Sequence, residues 1–511
     1  MTSHNLYANF QAAFGHASAQ VAIETDDGQT WTFDDVDAQS AQMANWLASL
    51  GLEHGDRVMV QVEKSVPALL FYLACLRSGL VYVPLNTAYQ ASELAYFMEN
   101  AEPGLFVGSP EKQADLEALT RKLGVRHLHT LGADGSGSLL AALKAFPSTQ
   151  AVADVAENSL AAILYTSGTT GRSKGAQLTH RNLLSNAKTL HALWGWEPGD
   201  VLIHALPIFH VHGLFVAMHC ALLSASKTLW MSKFSPTQTL AWMEEGTVFM
   251  GVPTLYVRLL QEAGLNQAAS AHMRLFISGS APLLPDTFNA WQERTGHTIL
   301  ERYGMSETAM LTSNPYRASE GPRVAGTVGR PLPGVDVRIM GEEGKVRPAG
   351  EIGGIEVRGP NVFPGYWRMP EANQKEFTSD GWFKTGDVGR IDANGYVQIV
   401  GRSKDLIISG GYNVYPAEVE GYINDMTGVA ESAVIGCPHP DLGEGVVAVV
   451  VPAAGQSLEA DALIQAIKST IAGFKSPKKL FVVDALPRNV MGKVQKNVLR
   501  DTYAKVFTEG T

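Results

Sequence analysis

Short apolar runs alternate with longer segments of helical period along most of the chain. Val58 to Val62 reads as a strand. Ser65 then offers an N-cap with Pro67 in the first turn. Leu69, Leu70, Leu73 and Leu76 follow at helical spacing, and Gly79 marks the stop. Leu80 to Leu85 is the next strand and Leu105 to Val107 another. Further strand–helix pairs begin at Val201–Leu206, Val248–Pro253 and Leu275–Ser278. Strands separated in this way predict an α/β class, with parallel sheets covered on both faces. After Ala325 the pattern shortens, and Gly326–Ile339, Ile352–Arg358 and Tyr396–Val400 predict a β-rich portion that closes the large domain. Beyond Lys404 a small α+β unit is expected. It has a hairpin at Ile407–Ser409, helices at Ala417–Ile423 and Leu458–Ile471, and strands at Ser432–Ile435 and Val446–Val451. No proline- or serine-rich linker intervenes. The division is therefore expected as residues 1–403 and 404–511, joined by a tight hinge at Lys404.

Composition narrows the partners. The chain has 511 residues, 45% of them hydrophobic, and a net charge of −10, which argues against nucleic acid. Basic residues nevertheless collect between Lys468 and Lys505. They read either as a solvated helix face or as a local attraction for a polyanion. Cys75, Cys220 and Cys437 are far apart in apolar surroundings, so neither a disulfide framework nor a metal cluster is expected. The N-terminus lacks a signal-peptide pattern and no apolar run is long enough to cross a membrane. A cytoplasmic protein with no membrane partner is expected.

The chemistry concentrates in Ile163–Gly175. An apolar strand, Ala161–Tyr165, runs into Thr166, Ser167, Gly168, Thr169 and Thr170, with Lys174 to follow. Backbone N–H groups, short hydroxyls and one cation suit a polyphosphate. A Walker A loop does not fit, because Ser173 precedes Lys174 and Gly175 follows it.

This segment resembles the phosphate loop of the adenylate-forming superfamily, which holds acyl-CoA synthetases, adenylation domains of peptide synthetases, and luciferases. Glu301-Arg-Tyr-Gly-Met-Ser-Glu-Thr308, Tyr366-Trp367, Thr385-Gly-Asp387, Gly401-Arg-Ser-Lys-Asp405 and Pro487–Lys493 resemble its later motifs in order. The resemblance implies ATP, Mg²⁺ and coenzyme A. Thr166, Lys174, Glu307 and Lys493 are the catalytic candidates it gives, with Glu307 at the metal and Lys493 bridging the substrate carboxylate and the α-phosphate. Nucleotide contacts are implied for Gly279, Ser280, Ala281, Glu301, Arg302, Tyr303, Gly304 and Thr308, with Tyr303 stacking on adenine. Asp387 and Arg402 would take the ribose. Rotation about Lys404 would bring Ser409, Gly410 and Gly411 to the coenzyme A tunnel. By local context alone Asp387 is a turn residue and Lys493 a surface lysine. Lysines matching Lys493 are reversibly acylated in several relatives, which implies a lysine acetyltransferase or deacetylase as partner.

The acyl pocket of this superfamily is built near Phe209–Gly213, Gly251–Thr254, Ser278–Ser280 and Met305–Met310. Here His210 is polar, and Arg258 lies beside Leu255, Leu259 and Leu260, near the edge of a core-facing helix. A buried arginine demands an anion. These segments resemble the bacterial malonyl-CoA synthetases, in which the residues matching Arg258 and Ser280 hold a second carboxylate. The implied pocket set is His210, Arg258, Ser280 and Met305, and the implied acid is malonate or methylmalonate. Two other readings stay open: a synthetase for another short acid, and a carrier-loading or inactive nucleotide-binding protein.

Overall fold

A computed structural model describes residues 4–166, 173–410, 412–489 and 492–507. The chain divides into two compact units: Met1–Asp336 with Arg358–Phe383, and Val337–Val357 with Lys384–Thr511.

Two sheets organise the first unit. One has six strands in the order His127–Thr130, Leu105–Gly108, Arg57–Gln61, Val81–Pro84, Leu160–Thr166 and Lys174–Thr179. Its pairings are parallel until the last, which is antiparallel. The second has nine strands, parallel through Leu300–Met305, Leu275–Ser278, Val248–Gly251, Val201–His204, Lys227–Trp230 and Val21–Thr25, with antiparallel strands at both edges. This is the α/β class that the alternation predicts.

Local signals were obeyed closely where they were strong. Ser65 Oγ accepts from the Ala68 amide, and the helix spans Val66–Arg77. The expected inward leucines are buried, but so are Phe71, Tyr72, Ala74 and Cys75, because the helix is covered all round. The run Gly326–Ile339 is different. Only Arg330–Pro331 and Asp336–Met340 are strand, and Pro333 between them has no N–H to give to a ladder.

The strand Phe383–Ile391, which belongs to the second unit from Lys384 onward, pairs antiparallel with Val397–Arg402. A further sheet holds the predicted hairpin, Ile407–Ser409 with Tyr412–Val414, against Gly443–Pro452 and Val429–His439. Helices Pro416–Asn424 and Ala460–Thr470 stand where helical period was read. Cys75, Cys220 and Cys437 are buried free thiols. Among the described residues, no helix is long and apolar enough to cross a membrane.

Candidate active site

The phosphate segment is the tip of a hairpin. Leu160–Thr166 runs up, and Lys174–Thr179 returns beside it with Thr166 opposite Lys174. The returning strand is not among those that the sequence pattern predicts. A helix, His180–Leu193, begins beyond the strand with its own capping box from Thr179 and Asn182. Ser167, Gly168, Thr169 and Thr170 lie outside the described residues.

What the hairpin places at its mouth is charged. The Thr166 hydroxyl donates to Glu307 Oε1 at 3.4 Å, and the Tyr366 hydroxyl donates to the same oxygen at 3.0 Å. Glu307 is only 5% exposed. Lys174 Nζ binds Glu376 Oε1 at 3.0 Å and lies 4.8 Å from the Tyr366 ring centroid. Thr166, Lys174 and Glu307 are thus gathered as the motifs imply, and Tyr366 and Glu376 join them. Neither of these two was given a role from sequence.

Glu307 stands in the turn of a hairpin, Leu300–Met305 with Ala309–Ser313, whose register shifts between Tyr303 and Gly304. A Cβ on Gly304 would meet the Ala309 carbonyl at 2.0 Å, so this bulge requires glycine. Thr308 is buried, with its hydroxyl donating to the Ala309 carbonyl at 3.1 Å. Tyr303 and Met305 are half-buried on the same hairpin. A buried carboxylate among hydroxyls fits Mg²⁺, which takes one or two carboxylates and leaves the rest to phosphate and water. Among the described residues no group of three or more His, Cys, Asp or Glu could hold a metal alone.

Strand alternation sends Glu301 and Arg302 to opposite faces. Burial pushes the Glu301 carboxyl up to about 8. Its Oε1 accepts from the Leu283 amide at 3.1 Å, while Oε2 has no partner. Arg302 is 2% exposed, and neither Nε nor Nη2 has a hydrogen-bond partner. Burial pushes its guanidinium down to about 9, above neutral pH, so it stays charged. Gly279 makes room for it, because a Cβ there would meet Arg302 Nη1 at 2.5 Å.

Ser280 follows with φ +71°, a left-handed backbone unusual for serine. Its hydroxyl lies 3.3 Å from His212 Nδ1. His212 is fully buried in a π-helical turn, His212–Met218. Burial, then the charge of Arg302, push its imidazole well below the usual range, so it is neutral. His210 Nδ1 accepts from the His212 amide at 3.4 Å.

Arg258 corrects an expectation. Leu255 and Leu259 on its helix, Pro253–Leu259, are buried, but Arg258 itself is exposed. A buried guanidinium stands instead at Arg302, inside the motif that the resemblance gives to the nucleotide.

In the second unit Asp387 is buried within a strand, not a turn, and its Oδ1 binds Arg402 Nε at 2.8 Å. Lys404 sits in the helical turn Ser403–Asp405, directly after Arg402. Ser409 is buried at the hairpin and Gly410 is exposed, while Gly411 lies outside the described residues. Lys493 is exposed at the end of a turn in which its amide donates to Asn489 Oδ1 at 3.0 Å.

Residues 10–367 match the AMP-binding enzyme family, and residues 418–493 match the AMP-binding enzyme C-terminal domain. The chain belongs to the AMP-binding enzymes. It is similar to MatB of Rhodopseudomonas palustris, solved with ATP bound, at 52% identity over 99% of this chain and 100% of that one, with a TM-score of 0.96. It is 37% identical to the mitochondrial malonate–CoA ligase of Homo sapiens over 83% of this chain and 78% of that one. A feruloyl-CoA synthase of Amycolatopsis is 35% identical over 93% of this chain and 94% of its own length. Relatives at similar identity thus carry names for different acids, and the acid must be argued from the site.

Proposed function

We propose that the protein is an AMP-forming malonate–CoA ligase. The observation that carries the reading is Arg302, a buried guanidinium with unpaired donors beside Ser280 and neutral His212. A monocarboxylic acid would leave that charge uncompensated, whereas a second carboxylate would pair it. The resemblance of the chain to malonate–CoA ligases supports the same acid.

The reaction is read in two steps. A malonate carboxylate oxygen attacks the α-phosphorus of ATP, the bond to the β-phosphate oxygen breaks, and pyrophosphate leaves. The acyl carbon then accepts the coenzyme A thiolate, and AMP departs with the electron pair. Thr166 and Lys174 hold phosphate oxygens, and Lys493 supplies the cation at the transferring oxygen. Mg²⁺ on Glu307 would neutralise phosphate charge during the first step. Asp387 holds the ribose, and Lys404 is the hinge between the steps, which brings Ser409 and Gly410 to coenzyme A. Exposed Lys493 is the site at which a lysine acetyltransferase would switch adenylation off. The reading places the enzyme in the cytoplasm, and its buried free thiols suit a reducing compartment.

The test is pyrophosphate release over a panel of malonate, methylmalonate, propionate, butyrate and ferulate, with and without coenzyme A. Malonate or methylmalonate should lead by at least an order of magnitude in kcat/KM. A monocarboxylic acid in first place would overturn the choice of acid. Absence of release with every acid would overturn the reaction.

A further inference from the structure

Tyr366 stands where the phosphate hairpin meets the candidate metal carboxylate. Its hydroxyl donates to Glu307 Oε1 at 3.0 Å, and its ring face carries the Lys174 ammonium 4.8 Å from the centroid. Tyr366 and Glu307 are each only 5% exposed, so the hydrogen bond to the carboxylate is made out of water, where it is strongest. The ring has little freedom. The Tyr366 amide donates to Asn373 Oδ1 at 2.6 Å, and Asn373 Nδ2 donates back to the Tyr366 carbonyl at 3.1 Å. Ala176 of the returning strand bridges Tyr366 on one side, and Phe363 packs edge-on at 4.9 Å on the other. One fixed side chain therefore offers its hydroxyl to an anion and its face to a cation. These two charges are the ones that the reaction assigns to metal and phosphate.

We propose that Tyr366 is a positioning residue for adenylation, orienting Glu307 for a hard divalent cation and supporting Lys174 beside it. A glutamate side chain has three rotatable bonds, and the hydroxyl selects the rotamer in which Oε1 faces the hairpin. The ring face keeps the lysine from swinging to solvent, with Glu376 as its counter-ion 3.0 Å away. Metal and triphosphate would then meet a carboxylate and an ammonium whose spacing one ring has already set. The inference rests on the roles of Glu307 and Lys174 given above.

The experiment separates hydroxyl from ring. Tyr366→Phe keeps the face and removes the donor, and Tyr366→Leu removes both. Manganese binding to the whole enzyme, with a nonhydrolysable ATP analogue present, is followed by electron paramagnetic resonance of the free ion and needs no turnover. Tyr366→Phe should weaken manganese binding roughly tenfold to a hundredfold, the range for a lost hydrogen bond to a charged group. Its affinity for the analogue without metal should change less than about threefold, because the cation–π contact survives. Tyr366→Leu should weaken both. Thioester formation from supplied malonyl-AMP and coenzyme A should persist in Tyr366→Phe, which a general loss of structure would not allow. Parental manganese affinity in Tyr366→Phe overturns the proposal. Glu307→Gln is the control. If Glu307→Gln loses manganese and Tyr366→Phe does not, the tyrosine assignment alone fails. If Glu307→Gln retains it, the metal assignment itself is wrong.

Discussion

Replacing Arg302 with methionine should act in opposite directions on catalysis and on folding. In the free protein Arg302 is a buried charge whose Nε and Nη2 find no partner. Desolvating it costs energy that no hydrogen bond at those two nitrogens returns, so an apolar side chain of similar length should be neutral or stabilising, by up to about 4 kcal/mol. In the malonate complex the balance reverses. The second carboxylate would enter already stripped of water, and losing its cation costs on the order of 2–5 kcal/mol. At tenfold per roughly 1.4 kcal/mol, kcat/KM for malonate should fall between about 30-fold and several thousand-fold. Propionate brings no second anion, so its use should hold steady or rise, and KM for ATP should barely move. Pyrophosphate release gives the kinetic half and urea unfolding of the unliganded protein the other. Arg258→Met is the comparison: Arg258 is exposed, and its stability effect should stay within about 0.5 kcal/mol. A variant at Arg302 that unfolds earlier than the parent and still uses malonate equally well would show that the guanidinium is structural.

Lys493→Ala should abolish acyl-AMP formation while leaving supplied acyl-AMP convertible to thioester, and equal loss of both steps would refute that division. Lys404→Pro, which fixes φ near −65°, should form and hold acyl-AMP while thioester production collapses; an equal fall in adenylation would remove the hinge role. Glu376→Gln frees Lys174 from a half-exposed ion pair, so calorimetry should find ATP bound about two- to fivefold more tightly, an effect fading at high salt; weaker binding would mean that Glu376 supports the site. Burial pushes His219 down to about 3. Below pH 6.5 the unfolded chain therefore takes up a proton that the native state does not. The parent should then lose about 1.4 kcal/mol per pH unit against His219→Gln as pH falls from 6 to 4, and parallel urea-unfolding profiles for the two would refute this.

The parts of the fold that were legible are those whose signals are local. Ser65 and Pro67 start a helix through groups that lie within one turn of each other. The strand into the phosphate segment is written in consecutive apolar residues. The returning strand Lys174–Thr179 was not legible, because its partner is the strand before the loop and its other neighbour is Tyr366, far along the chain. Arg302 and Arg258 show the same limit at the site. Leucines around Arg258 suggest burial, yet a helix can bury Leu255 and Leu259 and still turn Arg258 outward. For Arg302 a signal did exist. Alternation along Leu300–Met305 separates it from Glu301, and Gly279, which leaves it space, lies in a segment already read as pocket wall. Glu376 could not have been found this way, since only the folded hairpin brings Lys174 to it.

The contact between Ser280 and His212 leaves one proton with two possible homes on the imidazole ring. If the proton sits on Nε2, Nδ1 must accept, the serine hydroxyl points its hydrogen at the ring, and only lone pairs face the acid. If it sits on Nδ1, the ring donates to Oγ and the serine hydrogen is free for a carboxylate. Nε2 has no partner, and a buried N–H without an acceptor is rarer than a buried acceptor without a donor. The second tautomer is thus the better satisfied one. Whether this serine attracts or repels a second carboxylate would then be decided by a tautomeric choice on a neighbouring ring, with no change in any residue that touches the acid.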